Sequence, residues 1–416
     1  MSPELISIGA LAVMFVVGTL LPINIGILAF VAAFVIGTAA LGLDEEQIFE
    51  GFPVSLFVTI VGVTYLFSVA QRNGTVDLIV SYGVRLVRGK VALIPWVLFT
   101  VAAVLTAFGT FTPAAVALLV PVGMNIAFRH GMSPLMMGMM IICGGHAGAF
   151  SPIAVSGVLV NGMIADTQLQ VAPVVLFLAS FGFNALLSAV TFLWLRNRNR
   201  PGPAGTDADG GAGPEHDGVS WRQWLTLAAL AGLIVGALGF HLQIGFLALA
   251  AGALLALTDM KNQAKAVEGI SWSTILLVAG MVTYVGILEK AGTIDAISEH
   301  AAGMGAPLLV AFLLCLTVAV TSAFASSTAI LTAIIPIAVP LLLSSHLNAA
   351  GLIAALSIST TIVDVSPFST NGALVLSNAK GVDRQRFYRQ VVGYTCAIVG
   401  FGPAVAWGVF VLPGAL

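Results

Sequence analysis

The chain has 416 residues, 59% of them hydrophobic and 8% charged, with a mean hydropathy of +1.05 and a formal net charge of −2. Soluble domains carry roughly 25% charged residues, so water is excluded as the main solvent. The small net charge carries no information by itself, because in a membrane protein the position of each charge matters; no nucleic-acid partner is expected.

The N-terminus, MSPELISIGALAVMFVVGTLL, lacks a basic leader and a small-residue cleavage site, and reads as a first span rather than a signal peptide. Crossing a hydrocarbon core of ~30 Å takes about 20 apolar residues. Runs that meet this in chain order are 5–21, 23–42, 54–71, 133–163, 171–195, 221–239, 241–258, 271–288, 349–379 and 386–412. Two further stretches, 92–128 and 306–343, are too long for one span and are interrupted by GTFTP (109–113) and ASST (325–328). Each is expected to be a re-entrant hairpin that enters and leaves on one side. Cys143, Cys315 and Cys396 all fall in apolar runs and read as small buried hydrophobes, with no disulfide frame or metal site.

Charge placement supports this count. With the hairpins not crossing, every Lys and Arg except Lys290 falls on one face, and the acidic loop DEEQIFE (44–50) falls on the other. The excess of basic residues marks the cytoplasmic side, which predicts a multi-pass protein of the bacterial inner membrane with both termini extracytoplasmic. Residues 196–220, rich in Gly and Pro, have the composition of a flexible cytoplasmic linker.

The linker separates two similar halves, 1–195 and 221–416. GFPVSLFVTIVG (51–62) aligns without gaps on GISWSTILLVAG (269–280), and AQRNGTVDLI (70–79) on LEKAGTIDAI (288–297), matching Asp77 with Asp295. Pro121 pairs with Pro336, Ser151–Pro152 with Ser366–Pro367, and Gly157 with Gly372. The expected fold is an all-α polytopic membrane protein of two inverted repeats, each with five transmembrane spans plus a re-entrant hairpin and a broken helix. An odd number of spans turns the second repeat upside down. Such repeats with interrupted helices place a transporter's site near the midplane.

Irregular backbone at membrane depth is tolerated only where it is buried or lines a wet cavity. Four such places occur: the tips Gly109–Pro113 and Ala325–Thr328, and the breaks GGHAGAFSPIAVSG (144–157) and TTIVDVSPFSTNG (360–372). Proline and glycine there create helix ends, whose free amides attract anions and whose free carbonyls coordinate hard cations. Asp364 is the one acidic residue placed inside a span. It reads as a cation ligand, a proton-coupling carboxylate or a structural cap. His146, paired with Thr361 in the repeat, donates to a substrate carboxylate, titrates, or is simply hydrogen-bonded in place. No Lys or Arg falls within this core, so an anion held there needs bound cations to balance it.

The hairpin tip SSTAILTAIIPI (326–337) and the broken helix VDVSPFSTNGALVLSNA (363–379) resemble the ion transporter superfamily, in particular the divalent anion/sodium symporters, and most closely the malonate/dicarboxylate carriers of the MatC type. Ser327 stands where that family's second tip carries Asn. The resemblance implies a homodimer with an elevator-like transport domain. It also implies that Thr110, Thr112, Ser151 and Ser156 serve one half-site, and Ser326, Ser327, Thr328, Ser366, Ser369, Thr370 and Asn371 the other. Substrate contacts are expected from these residues, Ser366 excepted, and from His146; Na⁺ ligands are expected from Thr110, Thr112, Gly148, Ser151, Ser326, Thr328, Asp364 and Ser366.

The function so implied is Na⁺-coupled symport of a small dicarboxylate, malonate or a C4 acid, with no cofactor beyond the coupling ion. Two alternatives stay open: a proton-coupled carboxylate transporter, and an inorganic-ion exporter or antiporter of the same superfamily. Enzymatic activity is not expected, because Ser151 and Ser366 have no nearby base to activate them.

Overall fold

The computed structural model describes residues 2–21, 23–85, 91–165, 167, 169, 171–196, 219–240, 242–294, 296, 306–345, 347–379 and 382–414. Residues 197–218 of the expected linker 196–220, and Asp295, lie outside them. The described residues are all-helical, and six helical stretches, one of them running through the break between 349 and 378, are long and apolar enough to cross a membrane; the protein is a multi-pass membrane protein.

In the first half these helices are α1 (Pro3–Leu20), α2 (Ile25–Ala39), α3 (Glu45–Phe49), α4 (Val54–Arg72), α5 (Thr75–Arg85), α6 (Ile94–Ala107), α7 (Thr112–Arg129), α8 (Pro134–Ala149), α9 (Val155–Ala165) and α10 (Pro173–Leu195). The second half runs through α11 (Trp221–Ile234), α12 (Ile244–Leu257), α13 (Gln263–Glu268), α14 (Trp272–Lys290), α15 (Pro307–Ser322), α16 (Ser327–Ser344), α17 (Ala349–Thr361), α18 (Thr370–Asn378) and α19 (Arg384–Phe410). Both long apolar stretches break at their polar centres, α6 from α7 and α15 from α16. Span 133–163 parts into α8 and α9, and 349–379 into α17, a short 3-10 turn at Ile362–Val365, and α18.

Local chemistry explains most boundaries. Asn24, Ser133, Asn348 and Asp383 cap α2, α8, α17 and α19 by accepting a bond from an amide in the first turn. Proline opens α1, α7, α8, α10 and α15, where a missing N–H costs nothing. The amphipathic helix α5 was not expected as an element: Val76 and Leu78 are buried while Tyr82 is 54% exposed. A mixed face of that kind has no long apolar run to betray it.

At the centre stand α8 and α17, buried on every side from Leu135 to Ala149 and from Leu352 to Thr361. The outer helices turn large apolar side chains outward, such as Val13, Leu186 and Phe401. Cys143 and Cys315 are buried as expected, but Cys396 is exposed, because its face of α19 belongs to this outer apolar surface.

The halves grip each other by exchanged contacts. Helix α2 crosses α14 where a Cβ on Gly26 would lie 2.0 Å from the Leu276 carbonyl and one on Gly280 2.0 Å from the Gly26 carbonyl; α4 crosses α12 where one on Gly62 would lie 2.4 Å from the Gly245 carbonyl. Small residues permit this backbone approach, the usual means of close packing between helices in lipid. Asn24, the cap of α2, donates to the carbonyl and Oγ of Ser273 at 2.9 and 3.0 Å. Gln243, the cap of α12, donates to Oγ1 of Thr59 at 3.2 Å.

Candidate functional site

A cavity of about 370 Å³ opens where elements of both halves meet. One wall is the start of α2 and α14, with Asn24, Ile25, Ser273, Thr274 and Leu277; the other is the two hairpin tips and the two broken helices. Of the residues expected from sequence, His146, Thr112, Ser156, Ser326, Ser327, Thr328, Asp364, Ser369, Thr370 and Asn371 line it.

The remaining expected residues lie elsewhere. Thr110 donates its hydroxyl to the Leu105 carbonyl at 2.7 Å, within its own hairpin turn. The Ser151 carbonyl accepts from the Ala154 amide at 2.9 Å. Ser366 accepts from the Phe368 amide at 3.2 Å through Oγ, and its carbonyl takes the Ser369 hydroxyl at 2.8 Å. The Gly148 carbonyl accepts from the Ser151 amide at 3.0 Å, and a Cβ at Gly148 would lie 2.0 Å from the Ala103 carbonyl. These four brace the turns on which the lining residues sit.

The bracing is the same at both breaks. A Cβ added to Gly157 would stand 1.9 Å from the Ser151 carbonyl, and one added to Gly372 1.9 Å from the Ser366 carbonyl. Each turn folds back on the following helix so tightly that only glycine fits. Helices α9 and α18 therefore begin beside the cavity, Ser156 in the first turn of one and Thr370 opening the other. Helices α7 and α16 begin there too, at the hairpin tips.

Capping separates these helix starts. Ser369 caps α18, accepting from the Gly372 amide at 3.1 Å. The starts of α7 and α16 have no side-chain cap. Both starts present the positive end of a helix dipole; in α7 Pro113 has no N–H and the Ala114 amide bonds the Phe111 carbonyl at 2.9 Å, so its first turn offers fewer amide donors than that of α16.

Ionisable groups at the cavity are few. The Asp364 side chain is 16% exposed and accepts a hydrogen bond from Ser327 at the second tip. Ser327 is buttressed by Ser322 Oγ at 2.9 Å, which in turn lies 2.7 Å from the Thr360 carbonyl. Ser369 Oγ donates to the Asp364 main-chain carbonyl at 2.5 Å. His146 is 3% exposed and neither ring nitrogen has a hydrogen-bond partner. Its Nε2 lies 3.6 Å from Asp364 Oδ2, beyond hydrogen-bond range. Asn371 Oδ1 is likewise buried without a partner. Buried polar atoms are nearly always bonded, so orphans beside a cavity mark where a ligand belongs. No Lys or Arg is among the lining residues.

Sequence reasoning missed the opposite wall and the rim. Asn24 carried a signal, a cap residue before an apolar run. Phe111, Phe324 and Phe368 also line the cavity, and nothing in an apolar sequence distinguishes a cavity phenylalanine from a lipid-facing one.

Comparison with known proteins agrees with this architecture. Residues 1–149 match the family described as the N-terminus of the dicarboxylate carrier protein MatC. The likeness to MatC-type carriers, read from the second half, is thus found in the first half as well. The crystal structure of the YdaH transporter of Alcanivorax borkumensis superposes with a TM-score of 0.62 at 16% identity, covering 90% of this chain and 88% of that one. At that identity the likeness is one of fold. No curated protein sequence matches the chain.

Proposed function

We propose that the protein is a secondary active transporter that carries a small dicarboxylate, malonate or a C4 acid, together with Na⁺. One observation carries this reading: two uncapped helix N-termini, from the tips of α7 and α16, face a common cavity lined by hydroxyls, one histidine and one carboxylate, with no Lys or Arg among the lining residues. Helix N-termini and hydroxyls suit carboxylates. Two such groups, one from each half, suit an acid with two of them. The negative charge of the substrate and of Asp364 then calls for cations at the same place, as oxygen-rich broken helices provide. The match of residues 1–149 to a dicarboxylate carrier family is consistent with the substrate class.

The two halves act as inverted repeats, 1–195 and 221–416, an arrangement supported by the paired turns at Gly157 and Gly372 and by the exchanged crossings of α2 with α14 and α4 with α12. The hairpins are re-entrant and move with the broken helices in an elevator-type alternating access, in a homodimer of the bacterial inner membrane with both termini outside the cytoplasm. Distribution of Lys and Arg supports that orientation.

Purified protein in liposomes tests the reading. Labelled malonate or succinate should accumulate when Na⁺ is imposed outside and not when it is equal on both sides. A second reading, proton coupling, is favoured by the nearness of His146 and Asp364; accumulation driven by a pH gradient alone would select it. Failure of both gradients to drive either acid would sink the substrate assignment.

A further inference from the structure

The rim of the cavity is aromatic where the second half closes it. Phe324, at the tip between α15 and α16, lies against Phe368, in the turn before α18, with ring centroids 5.4 Å apart and planes inclined by 31°. Both rings line the cavity, and they are 57% and 60% exposed. Phe111 of the first tip faces the same cavity, and Leu331 adds an aliphatic surface.

The fold does not require this pair. The sequence register that matches Ser151 with Ser366 also matches Gly109 with Phe324 and Ile153 with Phe368. The first half closes the corresponding corner without an exposed ring pair: Gly109 adopts φ +109°, a Cβ there would meet Val63 at 2.3 Å and lie 3.7 Å from the Ile153 carbonyl, Ile153 is buried, and Phe108 is half-buried against the cluster that holds Val63 and Ile153. Equivalent corners are therefore built in two ways, one sealed by packing of Val63, Ile153 and a half-buried Phe108, one faced with two exposed rings. An exposed aromatic pair beside a hydrophilic anion is a poor wall, since it desolvates charge and returns no hydrogen bond. Beside a planar apolar group it is a good one, because rings prefer offset-stacked or edge-on neighbours at such spacings.

We infer that the substrate is a dicarboxylate bearing an aromatic ring, whose ring packs on Phe324 and Phe368 while its carboxylates face the helix N-termini. This rests on the dicarboxylate reading above and changes its choice of acid, from malonate or a C4 acid to one that carries a ring. Plain malonate leaves the rings facing an unfilled or hydrated part of a cavity of about 370 Å³, so it is the weaker ligand of the same site.

The experiment compares uptake of labelled phenylmalonate and labelled malonate by the same proteoliposomes, for the unaltered protein and for a Phe324→Leu/Phe368→Leu variant that keeps apolar packing but removes both rings. The readout is the ratio of the two specificity constants, which a general loss of folded protein leaves unchanged. In the unaltered protein the ratio should favour phenylmalonate by about tenfold, the worth of one good aromatic contact, and should fall to near one in the variant. Equal uptake of the two acids by the unaltered protein, or a preference that survives loss of both rings, overturns the proposal while leaving a dicarboxylate carrier in place. Absence of saturable uptake of either acid removes the dicarboxylate reading and the proposal with it.

Discussion

His146 Nε2 and Asp364 Oδ2 stand 3.6 Å apart, and the two side chains reach that distance from the broken helices of opposite halves. The carboxylate is also bonded by Ser327 of the second hairpin tip. One acidic side chain thus touches three moving parts of the proposed cycle: both broken helices and one hairpin. The imidazole keeps both nitrogens free of hydrogen bonds, which leaves it available to a ligand at the cavity.

Replacement of Asp364 by Asn keeps the volume and an acceptor for Ser327 but removes the charge. Gradient-driven accumulation should fall at least about tenfold if, as proposed, the carboxylate ligates the coupling cation inside the membrane, while exchange of labelled for unlabelled substrate across the liposome wall persists. Retention of full concentrative uptake by Asp364→Asn would reduce the carboxylate to a structural cap.

His146→Ala should raise the KM for the dicarboxylate roughly 10- to 100-fold, the worth of ~1.5–3 kcal/mol for a hydrogen bond to a charged group. His146→Gln, which restores a donor, should recover part of it. An unchanged KM in both variants would place the imidazole outside the substrate site.

Gly157→Ala and Gly372→Ala should each destabilise the protein by ~1–3 kcal/mol through overpacking, because each new methyl meets a serine carbonyl at 1.9 Å. Gly182→Ala, where nothing lies within 4 Å, should be neutral or stabilising, as alanine is the better helix former. Thermal unfolding of the three variants in detergent checks both halves of the statement. A tolerant Gly372→Ala would mean that the turn before α18 relaxes.

Lys290 donates to Glu50 and to the Gln47 carbonyl, both at 2.7 Å, tying α14 to the short helix α3. The Glu50 side chain is 65% exposed, so Glu50→Gln should cost no more than ~1 kcal/mol, and less as salt is raised. Melting temperatures at low and high ionic strength measure this directly.

Much of this protein is written in its sequence. Runs of apolar residues give the spans because lipid leaves a backbone no other partner than its own helix. The breaks in both hairpins and both core helices follow from Pro, Gly and hydroxyl residues at their centres, whereas Ser369, Thr370 and Asn371 stand out only through the family resemblance of 363–379, and it is the structure that shows Ser369 capping α18. Contacts between distant helices could not be read this way. Nothing local to Asn24 indicates that it reaches Ser273, or that α2 and α14 close the cavity from the far side, since small residues such as Gly26 and Gly280 look alike in any apolar run. The hydroxyl bonds of Thr110 and Ser366 also needed the fold: a hydroxyl at a break can face the cavity or bond within its own turn, as both of these do, and only the direction of the backbone around it decides which. The tertiary structure likewise brought Phe324 against Phe368 and His146 beside Asp364, because side-chain proximity across the halves depends on how the helices pack and not on the order in which they occur.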